Sequence, residues 1–276
     1  MLKRAVKTTL VQLAGALAKT KAGSVFTDVL LQSGLNRSRT VRHGDLSLDF
    51  ATPNALLKMR ADTFSTKEPE TLEWIDGFDA DKIFWDIGAN VGLYSLYAAK
   101  SRNCRVIAFE PSVFNLEWLA RNIWMNDLTD NVQIIPLALS STDGFQMMNF
   151  SSVDWGGALS HFGEVDMAPS MHRYDSMQYK MMGLNPDHAV ASGLVPQPDY
   201  IKIDVDGIEH EILRGMRDTL LSVKAVLVEV DVAEKGQREA CGTLLSSAGL
   251  KLALKKPYYL NGIKEPVSEN QIWTRY

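Results

Sequence analysis

The chain is poor in cysteine, carries no strong excess of either charge, and has no apolar run long enough to span a bilayer. Its two cysteines, Cys104 and Cys241, lack metal-ligand spacing and are too few for a disulfide framework, which favours a reducing, cytoplasmic setting. A net charge of −4 gives no global attraction to nucleic acid or an anionic surface. The opening segment, MLKRAVKTTLVQLAGALAKTK, is only mildly apolar. Lys19 and Lys21 close it after about a dozen residues, short of a membrane span, and no transmembrane segment is expected. Its Ala-Leu-Ala imitates a signal-peptide cleavage site, but the reading adopted is an amphipathic accessory helix with a solvated basic face, contact of that face with a membrane or a partner being the alternative. Internal repeats, low-complexity tracts and long Gly/Ser linkers are also missing, so solenoid and disordered architectures are excluded.

What remains is an ordinary globular balance, 46% hydrophobic and 22% charged residues, with enough length for a sizeable core. From residue 82 short apolar runs alternate with longer amphipathic ones. IFWDI, RVIAFE, NVQIIPLAL, DYIKIDV and KAVLVEV read as strands; LYSLYAAK, NLEWLARNIWMN and GIEHEILRGMRDTLL read as helices. Helices between apolar strands require right-handed crossovers and a mostly parallel sheet covered on both faces, a doubly wound α/β fold. A further helix is expected over about 234–248. After it, LKLALKK and NQIWTRY, with Asn261 and Gly262 between them, predict an antiparallel C-terminal hairpin. Two regions fall outside the alternation. Residues 1–80 read as a helical accessory region preceding a main domain of residues 81–276. The interval of about 150–198 reads as an insertion at the carboxyl edge of the sheet, where a lid or substrate-recognition element belongs. It contains Trp155, Gly156, Gly157, His161 and His172, and five methionines lie between Met167 and Met182. The competing reading is an insertion that packs only on itself.

The stretch WDIGANVGLYS explains where a ligand should bind. A parallel strand ends in Asp86, passes through Gly88, Asn90 and Gly92, and turns into a helix, the place where doubly wound sheets receive nucleotide-like ligands. The dinucleotide fingerprint counted from Gly88 needs glycine at 90 and 93, but the chain has Asn90 and Leu93. A pyrophosphate is therefore disfavoured. Asp86 instead suits a cofactor with an ammonium group, and S-adenosylmethionine has one. The next strand ends in Glu110, 22 residues beyond Gly88, placed to accept hydrogen bonds from ribose hydroxyls. Against these assignments stand a helix-capping role for Asp86 and a plain surface carboxylate for Glu110.

Together FWDIGANVGLYS, VIAFEPSVFNLEWLARN and DYIKIDVDGIEHEILRGM resemble the FkbM-family S-adenosylmethionine-dependent methyltransferases. The resemblance covers about residues 82–231 and departs where Asp206 replaces the usual Glu. It implies a Rossmann-like, seven-stranded class I methyltransferase fold and methyl transfer to oxygen, often on sugars or natural products.

Strand alternation puts Tyr200, Lys202 and Asp204 on one face. Asp204, at the carboxyl edge, is the candidate catalytic residue, as general base or as ligand to a divalent ion; its alternative role is to order the following turn. Glu229 and Asp231 would complete a Mg²⁺ site. Lys202, in a central strand, needs a carboxylate beside it. Asp206 and Glu209 have capping-box spacing, and His210 lies in the first turn of the next helix. The expected function is O-methylation of a hydroxylated small molecule or glycan. N-methylation, a nicotinamide-dependent oxidoreductase and a noncatalytic cofactor-binding module are the alternatives.

Overall fold

The computed structural model describes residues 12–163, 177–259 and 265–275. The turn at Asn261 and Gly262, and Met167, Met171 and His172 of the insertion, lie outside them. Five strands form the parallel part of the main sheet: β3 (Ile83–Ile87), β4 (Arg105–Phe109), β5 (Val132–Ile135), β10 (Tyr200–Ile203) and β11 (Ala225–Asp231). Two more, β12 (Lys251–Tyr258) and β13 (Ser268–Thr274), form an antiparallel hairpin that completes the seven-stranded order β12-β13-β11-β10-β3-β4-β5. The expected doubly wound, mostly parallel sheet with a terminal antiparallel hairpin is therefore present. Among the described residues no helix is long and apolar enough to cross a membrane.

Both faces of the central strands are covered, which is why these strands read as nearly continuous apolar runs. One face carries Trp85, Ile107, Phe109, Ile201, Ile203 and Val228; the other carries Phe84, Val106, Ala108 and Tyr200. The second face also holds two ionisable groups. Lys202 and Asp86 are register partners on adjacent strands, each only 1% exposed.

The first 80 residues differ from a purely helical region. Residues Ser38–His43 (β1) and Leu46–Ala51 (β2) form an antiparallel hairpin, followed by helices Ala55–Asp62, Phe64–Lys67 and Pro69–Asp76. Leu48 and Phe50 of β2 join Phe64, Leu72, Ile75 and Phe78 against the Phe84 face of the sheet. Strand β1 has an SRTVRH sequence that is mostly exposed, so it lacks the apolar alternation by which strands are read.

The run NVQIIPLAL also departs from a single strand. Pro136 has no N–H for a ladder; β5 stops at Ile135, and Ala138–Leu139 (β6) enters a different sheet. That second sheet has the order β6-β9-β7-β8, with β7 Gly144–Phe150, β8 Ser160–Phe162 and β9 Met177–Leu184. Met148, Phe150, Phe162 and Leu184 from it share a core with Trp85 and Phe109. The insertion is thus packed onto the main sheet.

Candidate cofactor and acceptor site

The loop after β3 is built from three left-handed residues at alternate positions, Gly88 (φ +83°), Asn90 (φ +51°) and Gly92 (φ +85°). Gly88 and Ala89 both donate to the Phe109 carbonyl, at 2.9 and 3.1 Å, tying the loop to the tip of β4. A Cβ on Gly88 would stand 1.9 Å from the backbone oxygen of Asp204. Gly88 is therefore needed for the close approach of two strand tips, whatever ligand binds there. Gly92 caps the helix Leu93–Arg102, and a Cβ there would meet the side-chain ends of Leu119 and Leu96.

Glu110 lies beside this loop, 4% exposed. It accepts from the Asn90 N–H at 2.7 Å and the Ser112 N–H at 2.8 Å. Burial outweighs these bonds and pushes its carboxyl up to about 7. Asp86, one strand over, accepts from the Ser95 hydroxyl at 2.5 Å, while its Oδ1 is buried without a protein partner. Burial raises its pKa against the pull of Lys202 and Ser95. Asp86 is not among the residues lining the cleft; its neighbours Lys202 and Asp204 are.

Lys202 donates to Asp204 at 2.6 Å and lies 5.0 Å from the ring centre of Tyr94, so the carboxylate expected beside it is Asp204. Burial opposes the Lys202 charge, but Asp204, Glu68 and Asp86 more than compensate and hold its pKa above the usual range. Burial likewise works against Asp204, yet Lys202 and a hydrogen bond with Glu229 keep its carboxyl well below the usual range. Glu229 moves the opposite way because the Asp204 charge and burial both favour its protonated form. Within this pair Asp204 is thus favoured in its ionised form and Glu229 in its protonated form.

Sequence reading did not find the wall contributed by the first 80 residues. Arg60, Thr63, Phe64, Lys67 and Glu68 line the same cleft as Gly88–Val91, Tyr94, Lys202 and Asp204. It contains about 480 Å³ of empty space, its open mouth included. Lys67 donates to Glu68 at 2.9 Å, and Glu68 also hydrogen-bonds Tyr94. An apolar recess of about 300 Å³, lined by Phe109, Pro111, Leu139, Phe162 and Ile208, opens on the other side of Gly88. A legible signal for this assembly was the asparagine spacing on the helix Val113–Met125. Asn122 bonds the Ala51 N–H at 2.7 Å and the Val91 carbonyl at 2.8 Å. Asn126 receives the Asp49 N–H at 2.9 Å.

The insertion's Trp-Gly-Gly segment is strapped across this region. Asn54 bonds the Trp155 carbonyl, Arg60 the Gly156 carbonyl at 2.8 Å, and Asn90 the Gly157 carbonyl at 2.8 Å. Leu159 N–H reaches Asp206 at 2.6 Å. That contact replaces the expected capping box: Ile208 is the N-cap of helix Glu209–Arg214, without a side-chain cap, and Asp206 holds the insertion instead. Burial and the nearby Asp204 charge push Asp206 up to about 6. Glu209 does reach back to the Val205 and Gly207 N–H groups, and burial pushes it up to about 7. His210 has a buried Nδ1 with no hydrogen-bond partner, and its Nε2 lies 3.4 Å from Glu211.

Of the three Mg²⁺ ligands considered, Asp204 and Glu229 share a hydrogen bond while Asp231 bonds elsewhere. Glu229 accepts from Ser268 at 2.5 Å and Asp231 from the Ala233 N–H at 2.7 Å. Among the described residues no three His, Cys, Asp or Glu side chains form a metal-holding group.

A seven-stranded, doubly wound sheet whose first strand turns through Gly88–Gly92 beside an acid on the second defines a Rossmann-like class I methyltransferase fold. The family described as methyltransferase FkbM domain matches residues 86–247, and the chain belongs to it. Among characterised relatives, the hexuronic acid methyltransferase AglP of Haloferax volcanii is 31% identical over 154 residues, 55% of this chain and 57% of that protein. The chain thus spans little more than half the length of that relative. Methyltransferase 1 of Beauveria bassiana is 25% identical over 193 residues, covering 65% of this chain and 76% of that one. A solved structure, the precorrin-6Y C5,15-methyltransferase of Geobacter metallireducens, aligns over 76% of this chain and 87% of its own with 14% identity and a TM-score of 0.44.

Two outcomes follow from this packing. Gly88→Ala should lower unfolding free energy by more than about 3 kcal/mol, because the new methyl meets backbone, whereas Gly44→Ala, left-handed but in open space, should lose about 1 kcal/mol. Denaturant titration of the two variants checks the difference. Glu209 holds its proton to about 7 when folded but only to about 4.5 when unfolded. Its contribution to stability is present at low pH and is lost as pH rises from about 4.5 through about 7. Glu209→Gln should accordingly flatten the fall of melting temperature across that window.

Proposed function

We propose that this protein is an S-adenosylmethionine-dependent methyltransferase acting on a hydroxyl oxygen of a sugar, glycan or natural product. The observation that carries the reading is that the Gly88–Val91 turn and the Lys202–Asp204 pair line one cleft, with Glu110 hydrogen-bonded to the Asn90 N–H of that turn. The residues fit the cofactor. Asp86 offers a buried oxygen without a protein partner, and Glu110 is at the strand tip that suits ribose hydroxyls. The apolar recess beyond Gly88 suits a flat heteroaromatic ring. When bound, S-adenosylmethionine supplies an electrophilic methyl group on a sulfonium sulfur.

The protein's work is then alignment, exclusion of water and disposal of one proton. Asp204 is ionised at neutral pH and, next to Lys202, weakly basic. A weak base suffices here. An acceptor O–H held against Asp204 would pass its proton there as its oxygen took up the methyl group, the C–S bonding pair remaining with the sulfur. Glu229, whose protonated form is favoured by burial and the Asp204 charge, is placed to hydrogen-bond Asp204 before that transfer. The Trp155–Gly157 segment is bonded to Arg60 and Asn90 of the cleft lining, and Arg60 brings a positive charge to that wall. A sugar acceptor is supported by the similarity to AglP, whose name specifies a hexuronic acid. An amine acceptor would need less help from Asp204.

Calorimetry with S-adenosylhomocysteine should show binding that Glu110→Ala weakens by roughly tenfold or more, as expected when a charge-assisted hydrogen bond is lost. Asp204→Asn should keep that binding and lose about 10²–10⁴-fold in kcat, with the melting temperature of each variant measured alongside. No heat for S-adenosylhomocysteine on folded protein refutes the reading; a product methyl bound to nitrogen by NMR selects N-transfer.

A further inference from the structure

Charge is distributed unevenly along the chain. Eight of its 29 Lys and Arg residues but one of its 33 Asp and Glu residues fall in the first 43 positions, giving that segment a net +7 and the remainder −11. Asymmetry of this kind points to an anionic partner. Within the segment, helix Lys21–Leu35 places Ala22, Val25, Phe26, Val29 and Leu30 at the i, i+3, i+4, i+7, i+8 spacing of one apolar face. A helix that packs on its own protein buries such a face. Here Val25, Phe26, Val29 and Leu30 are all more than half exposed. Only Gly23 of the helix is buried. At the far end Leu35 packs against Ala51, Leu57, Val91 and Trp118, which roots the helix beside the Gly88–Gly92 loop.

The flanks are basic. Lys19 and Lys21 stand exposed at the start of the helix and Arg37 and Arg42 after its end; Arg39 is paired with Asp62. The helix's one acidic residue, Asp28, is on its polar side. Nucleic acid would engage these charges but leave the apolar stripe in water. A second copy would cover the stripe but bring two segments of net +7 together. A bilayer surface that contains anionic phospholipid satisfies both features at once.

We propose that helix Lys21–Leu35 lies in the plane of an anionic membrane surface, its Val25/Phe26/Val29/Leu30 face among the acyl chains and its flanking Lys and Arg residues at the headgroups. The proposal stands independently of the methyl-transfer reading. It is tested by sedimenting the full chain with phosphatidylcholine vesicles prepared with and without phosphatidylglycerol. Binding should require phosphatidylglycerol, weaken as salt is raised, and fall roughly tenfold or more in a Val25→Gln/Phe26→Gln/Leu30→Gln variant. Because those side chains are exposed, the variant should melt at the parent's temperature. Hydrogen exchange on the vesicle-bound parent should show new protection over residues 21–35. The proposal is overturned by failure to bind phosphatidylglycerol vesicles, by equal binding of parent and variant, or by a parent dimer that the variant abolishes while vesicle binding stays absent.

Discussion

The Lys202 ammonium sits 1% exposed on a central parallel strand, where most neighbouring side chains are apolar. An isolated charge there would cost several kcal/mol even after relaxation. It is tolerated because carboxylates surround it: Asp204 at 2.6 Å on its own strand, Asp86 as its register partner, and Glu68 from the N-terminal region. Those same carboxylates are then too close to one another to ionise freely. Glu229 is favoured in its protonated form beside the charged Asp204, and Asp86 is raised by burial. The electrostatic state of the cleft is thus set by one buried cation and the groups gathered to neutralise it.

That arrangement also fixes the backbone. The end of β10 at Asp204 comes against the end of β3, and the approach is so close that no side chain fits at Gly88. The left-handed turns at Gly88, Asn90 and Gly92 follow, since the chain must clear β10 and still enter a helix. The motif is as much a packing device as a ligand cradle.

Segments remote in sequence are held to this centre by amide side chains. Asn122 joins the β2 strand to the cofactor loop, Asn126 holds the same strand, and Asn90, Asn54 and Arg60 each fasten a carbonyl of the Trp155–Gly157 segment. Buried amides serve well here because one side chain both donates and accepts, satisfying backbone groups of two irregular segments without bringing charge. Whatever moves the insertion must break these bonds, so the cleft, the N-terminal hairpin and the insertion are mechanically linked.

The sequence by itself determined the sheet, because apolar strands covered on both faces and helices between them leave a periodic record. The interruptions of apolar runs at Asp86, Gly88, Asn90, Gly92, Glu110 and Asp204 were also visible in it, and they mark where β3, β4 and β10 end and the following turns begin. The need of Lys202 for a carboxylate was equally legible. Tertiary structure decided what periodicity does not encode: that β1 and β2 pair although β1 is polar, that Lys67 and Glu68 reach the cleft, and that Asp206 holds the insertion instead of capping a helix. It also gave Glu229 a partner in Ser268, 39 residues away, and Asp231 one in the Ala233 N–H. Local pattern records which face of an element is buried, whereas the partner of a buried polar group is chosen by three-dimensional proximity between segments up to a hundred or more residues apart.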